Sequence, residues 1–160
     1  MRDIVRYSES DLRRIFGGVV PSGASGLLEV ELPREVEVLF EAYPIERASL
    51  SPDSPSRLAI GRAWHGLCEV QIDLAEGSVW SVVPVEDGSP EVTFMNRDVG
   101  RFAVFLQHVG EMARLAEVEE GRRCCDRAES VRRELVRVDE PATREGAWWA
   151  AIIEEMVDMA

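Results

Sequence analysis

The sequence predicts an α+β fold: a mainly antiparallel sheet with helices packed against it. Two observations predict it. Between Cys68 and Met95, short runs of alternating apolar and polar residues are separated by brief turn signals, the pattern of a strand meander. From Asn96 the hydrophobic period changes abruptly to that of an amphipathic helix, and helical spacing returns twice before the end of the chain. The 160 residues are near the usual size of one domain and suffice to bury about two-thirds of the unfolded surface, so residues 1–160 are expected to form one unit.

Residues 4–7 read as a short strand. Ser8, with Asp11 three residues on, gives a capping-box start for a helix to about Phe16, which Gly17-Gly18 ends. Residues 21–26 are a turn-rich connector. Residues 27–43 run an apolar thread among glutamates with an ambiguous period. Val36, Val38 and Phe40 alternate as in a strand, while Val36, Leu39 and Phe40 would equally line a helix entered through Pro33. The balance tips slightly to a strand. Residues 51–56, with two prolines, are expected as a surface loop.

Beyond that loop Cys68, Val70, Ile72 and Leu74 point to one face, and Glu69, Gln71 and Asp73 to the other. Glu76-Gly77 turns the chain, residues 78–83 return, Asp87-Gly88 turns it again, and residues 92–95 make the last strand. Connections this short join antiparallel neighbours. Asn96 is a favoured N-cap and Asp98 suits the positive end of the helix dipole. Val99, Phe102, Phe105, Leu106, Val109 and Met112 then share one stripe that should cover the sheet. Gly121 is expected to break this helix. A second, over about 125–136, turns Ala128, Val131 and Leu135 inward and its arginines outward. Asp139-Glu-Pro141 caps or turns the chain, and residues 146–159 set Trp148, Trp149, Ile152, Ile153 and Met156 on a broad apolar face. Neighbouring tryptophans cannot point the same way on a helix, so Trp148 falls nearer the rim.

The 30 acidic residues outnumber the 18 basic ones, every one of them arginine, for a net charge of -12. A field this negative repels nucleic acid and anionic membrane surfaces, both of which bind through their own negative charge. The same field attracts a basic protein and raises its association rate above the neutral baseline of about 10⁵–10⁶ M⁻¹s⁻¹. The first residues lack an apolar leader core, and no window approaches the ~18 apolar residues of a membrane span. A cytoplasmic location is expected. Cys68, Cys124 and Cys125 are odd in number with two adjacent, a poor disulfide framework, so reduced thiols fit best.

His65, Cys68, Cys124 and Cys125 could in principle supply four zinc ligands. Adjacent cysteines point apart on a helix, however, and Cys68 lies on the predicted core face, so small buried hydrophobes are the better reading and no metal or cofactor is expected. His65 and His108 lack an accompanying nucleophile in a recognisable setting, and no catalytic residues are assigned. His108 suits a helix flank. The candidate partner-binding residues are Glu69, Gln71 and Asp73, a row in which the Glu69 and Asp73 carboxylates could imitate phosphates in a basic groove, with Trp64 and Trp80 as flanking anchors. A merely solvated sheet face and a core role for Trp80 are the simpler alternatives.

Three segments in this order resemble the SUKH superfamily, specifically its actinobacterial group four of immunity proteins. They are Leu28-Glu-Val-Glu-Leu-Pro33; Leu58-Ala-Ile-Gly61 with Val70-Gln-Ile-Asp73, Gly77-Ser-Val-Trp80 and Phe94-Met-Asn96; and Asp139-Glu-Pro141 followed by Trp149, Ile152, Ile153, Glu154 and Glu155. The resemblance implies a curved sheet flanked by helices and an antidote that binds a secreted polymorphic toxin in the producing cell. Such toxins include basic nucleases and deaminases, in agreement with the charge argument. Other members have different protein-binding roles, so the alternative is a regulatory scaffold or adaptor for an endogenous protein. Glu31 stands where the family pattern has Gly, and the stretch from Arg62 to Gly66, with Trp64 and His65, departs from its commoner acidic, Gly-rich loop. Partner specificity could reside there.

Overall fold

The computed structural model describes residues 3–52, 54–116 and 122–159. Strand β1 (Ile4–Val5) leads into helix α1 (Glu9–Phe16). The reciprocal cap forms as the sequence suggests. The Asp11 amide donates to Ser8 Oγ at 3.1 Å and the Ser8 amide donates to Asp11 Oδ2 at 3.0 Å. Leu12 is buried, and Gly17, at φ 73°, closes the helix in the left-handed conformation.

The next connector is not a plain turn but a 3-10 helix, Ser22–Leu28, which buries Ala24 and Leu27. Gly23 lies against the end of a central strand, donating its amide to the Leu74 carbonyl at 3.0 Å. A Cβ there would sit 2.5 Å from the Asp73 and Leu74 backbone, so only glycine permits the approach.

Residues 27–43 resolve their ambiguity by turning back on themselves. β2 (Leu32–Pro33) pairs with β1, while β3 (Glu35–Val36) and β4 (Phe40–Ala42) form a hairpin in which Val36 is opposite Phe40. Residues four apart share a face across a tight hairpin as they do along a helix, which is why both periods fitted. Glu37, at φ 41°, makes the reversal. The expected loop at 51–56 is corrected in the same way. β5 (Ser49–Ser51) and β6 (Ser54–Ala63) form a hairpin there. Pro55 is tolerated because β6 begins to pair with the next strand only at Arg57.

β6, β7 (Cys68–Asp73), β8 (Val79–Val83) and β9 (Glu91–Asn96) are the expected meander. The main sheet runs β3-β4-β6-β7-β8-β9, with β5 added along β6, and every described pairing is antiparallel. β6 is bulged between Ala59 and Gly61. Gly61 faces the Phe40 ring there, where a Cβ would fall 2.6 Å from the ring and from the Glu41 carbonyl.

α2 (Val99–Ala116), α3 (Arg122–Asp139) and α4 (Trp148–Met159) follow. All six residues of the predicted α2 stripe are buried. Phe102 meets Phe40 edge-on at 5.2 Å and Phe105 meets Trp149 at 5.4 Å, joining sheet, α2 and α4 in one core. The mixture of helices and an open antiparallel sheet bears out the α+β reading. α3 is longer than the expected 125–136. Gly121 lies outside the described residues, as does the side chain of Cys124. Cys68 is buried as expected, but Cys125 is exposed and not a core residue.

Asn96 is not the N-cap of α2. That role falls to Asp98, whose Oδ1 accepts the Arg101 amide at 2.8 Å. Asn96 is fully buried. It accepts the Trp149 indole N–H through Oδ1 at 2.8 Å and donates through Nδ2 to Asp139 Oδ2 at 3.2 Å. Asp139, also fully buried, takes the Arg97 amide at 2.9 Å and Arg97 Nε at 2.7 Å. The end of β9, the end of α3 and the start of α4 are thereby tied together, and every polar atom named has a partner.

Candidate partner-binding surfaces

The helices cover one face of the sheet, and the register fixes what the other face presents. Gln71 is opposite both Ala59 and Trp80, Glu69 is opposite Arg62 and Val82, and Phe94 is opposite Trp80. Directly opposed residues share a face, so Glu69, Gln71 and Trp80 come together as the sequence suggested. They are joined by residues that single-strand patterning did not reveal: Glu41, Tyr43, Arg57, Val82, Val92 and Phe94.

The polar half of this face is internally bonded. Glu69 accepts the Tyr43 hydroxyl at 3.1 Å and Gln71 Nε2 at 2.8 Å, and the same Gln71 amide reaches Ser51 Oγ at 3.2 Å. Arg62 Nε donates to Glu41 at 2.8 Å. Burial pushes the Tyr43 phenol up, and the Glu69 carboxylate pushes it further, while Arg47 above the ring pulls it down. Gln71 is only 3% exposed, so it orients Glu69 and has little surface of its own. The aromatic half is more open. Trp80 meets Phe94 edge-on at 5.4 Å and donates its indole N–H to Ser78 Oγ at 2.8 Å, while the Arg57 guanidinium lies 5.6 Å over its ring.

Asp73 ends this row differently. Its Oδ1 accepts the amides of Ala75 and Glu76, both at 2.9 Å, and so shapes the β7–β8 turn. Trp64 does not flank the row at all. It sits at the β6–β7 turn on the helical side, and with His65 adopts left-handed backbone at φ 49° and 57°. For a bulky residue that conformation is strained by about 1–3 kcal/mol. The Trp64 and His65 amides hold it by donating to the Leu39 and Val38 carbonyls at 3.2 and 3.0 Å.

Trp64 faces a second surface, a cleft of about 1250 Å³ between α3, α4, the 3-10 turn Glu140–Thr143 and the start of β9. Trp148, Ile152, Ile153 and Val157 supply apolar lining. Seven carboxylates and two arginines also line it, and both arginines pair within the wall, Arg132 with Glu129 at 2.8 Å and Arg144 with Glu140 at 3.0 Å. Glu91, Glu145, Glu154, Glu155 and Asp158 make no ion pair among the described residues. Sequence reasoning placed Trp148 near a rim but missed the cleft, because its walls come from segments more than 80 positions apart. No group of three or more metal-ligating side chains is assembled among the described residues. No described helix is long and apolar enough to cross a membrane.

An α+β fold with an aromatic sheet face on one side and an acidic, tryptophan-lined cleft on the other has the make-up of a protein that works by contact with another protein. The SUKH-4 immunity protein family model matches residues 2–155, and the chain belongs to that family. No curated protein and no solved structure matches it. Gly61, Asn96, Asp139 and Trp149, among the residues on which the resemblance was drawn, are the bulge glycine and members of the buried knot, so those positions hold the fold.

Proposed function

We propose that this chain is a non-enzymatic antidote that binds and neutralises one cognate secreted toxin inside the producing cell. The carrying observation is the family match over nearly the whole chain, and the net charge of -12 supports a basic toxin, as a nuclease or deaminase would be. The sheet face is one contact surface. Trp80, backed by Phe94, is its aromatic anchor, Glu69 is its charged group held ready by Tyr43 and Gln71, and Asp73 maintains the adjoining turn, while Trp64 belongs to the second contact surface, the cleft on the helical side.

The test is recovery of partners from the native organism with tagged protein at low salt, followed by a high-salt wash. One basic toxin domain, released by salt, is the expected catch. Reproducible recovery of a housekeeping complex instead would favour the scaffold reading. With the toxin in hand, Glu69→Gln combined with Asp73→Asn should slow association several-fold and flatten its salt dependence. Unchanged association kinetics would remove the sheet face from the interface.

A further inference from the structure

We propose that the cleft beside α4 docks an arginine- or lysine-bearing segment of the partner protein. The proposal rests on the antidote reading for the partner's identity, but its chemistry is that of the cleft itself. Electrostatics comes first. Both lining arginines are neutralised by Glu129 and Glu140, so the carboxylates of Glu154, Glu155 and Asp158 on α4, facing Glu91 of β9, form a field of one sign. A concave wall focuses such a field and raises the local concentration of cations.

Shape and aromatic content come second. Trp64 and Trp148 are half-buried side chains at the same cleft, and indole faces are the preferred aromatic partners of guanidinium and ammonium groups. Carboxylates together with indoles suit a cationic side chain better than a neutral or anionic one. At about 1250 Å³ the cleft also has room for several residues of chain rather than a single ion. The strained β6–β7 turn that carries Trp64 is tied to the β3–β4 turn by two backbone hydrogen bonds, which fixes the backbone bearing this indole before any partner arrives.

The smaller groove between α2 and the β3 hairpin, lined by Glu35, Glu37 and Glu111, is also acidic, but no aromatic side chain lines it. It is therefore the right control. The full chain is titrated with an oligoarginine peptide at low salt, following tryptophan emission and calorimetric heat. Glu154→Gln/Glu155→Gln/Asp158→Asn is expected to weaken binding at least ~10-fold, and Glu35→Gln/Glu37→Gln/Glu111→Gln less than ~2-fold. All six positions are exposed, so circular dichroism should show both variants folded. Equal weakening by the two triples, or loss confined to the control, overturns the proposal.

The toxin recovered from the organism separates the two readings. A toxin held by wild-type protein and released ~10-fold faster by the cleft triple supports both. A toxin bound equally by both proteins leaves the antidote reading standing and overturns the cleft. Oligoarginine binding that depends on the cleft, with no toxin captured, supports the cleft's chemistry and counts against the antidote reading.

Discussion

Tyr7 is the residue whose environment departs furthest from what its side chain needs. It is 4% exposed, and its hydroxyl has no hydrogen-bond partner among the described residues. A buried unsatisfied hydroxyl costs about 1–3 kcal/mol, so Tyr7→Phe should raise stability by roughly 1 kcal/mol in urea denaturation at pH 7. Burial, and then the nearby Asp11 carboxylate, push the Tyr7 phenol up to about 12. The unfolded phenol titrates near ~10. Between those values the native state keeps a proton that the unfolded state releases, so stability is fully present below pH ~10 and is lost as pH rises through the folded value, by roughly 2–3 kcal/mol. Denaturation of the phenylalanine variant should lack that alkaline component. A retained loss of the same size would assign it to another group, with Tyr43 the next candidate. At Glu69, replacement by Gln should let the Tyr43 phenol ionise at lower pH than in the wild type, while burial still holds it above the ordinary tyrosine value. Ultraviolet titration of the phenolate reads this directly.

At the scale of elements, the junction between β9 and α2 separates local signals from long-range ones. Asparagine before an amphipathic stripe is a fair N-cap signal, yet Asp98 caps the helix and Asn96 joins Trp149 to Asp139 across 53 and 43 positions of sequence. Asp98→Ala should therefore cost only about 1 kcal/mol, the ordinary value of a cap. Asn96→Ala leaves a buried indole N–H and part of a buried carboxylate unpaired, and should cost about 2–4 kcal/mol. Equilibrium unfolding of the two variants gives the order, and a larger loss for Asp98→Ala would mean that the helix cap outweighs the buried knot around Asn96. The same division explains what could be read beforehand. The α1 capping box, the β7–β8–β9 meander and the α2 stripe depend on neighbours within a few residues, and all were legible. The 49–63 hairpin and the turn at Glu37 were not, because proline and glutamate carry no sign of the strand that pairs beside them. At the sheet face, alternation revealed Glu69, Gln71 and Trp80, but only register could show that Tyr43 and Gln71 engage Glu69.

At the scale of the whole molecule, charge is distributed as well as abundant. Most arginines in the described ion pairs reach a carboxylate three or four residues away, as Arg132 does Glu129 and Arg144 does Glu140, so helical spacing neutralises the positive groups locally. Carboxylates without an ion pair among the described residues remain over the cleft, where an approaching basic protein can sense them. Such exposed ion pairs contribute little to stability, typically ~0–1 kcal/mol each and less in salt. Raising salt should thus leave the folded state nearly untouched while slowing capture of the toxin. The quantity to measure is the association rate constant by stopped-flow from about 20 mM to 500 mM salt, spanning Debye lengths of roughly 20 Å down to 4 Å. Steered encounter predicts a fall of at least ~10-fold toward the neutral baseline, with the dissociation rate changing far less. A salt-independent association rate, with salt acting only on dissociation, would mean that the charge of -12 serves solubility and that contact begins at the aromatic anchors instead.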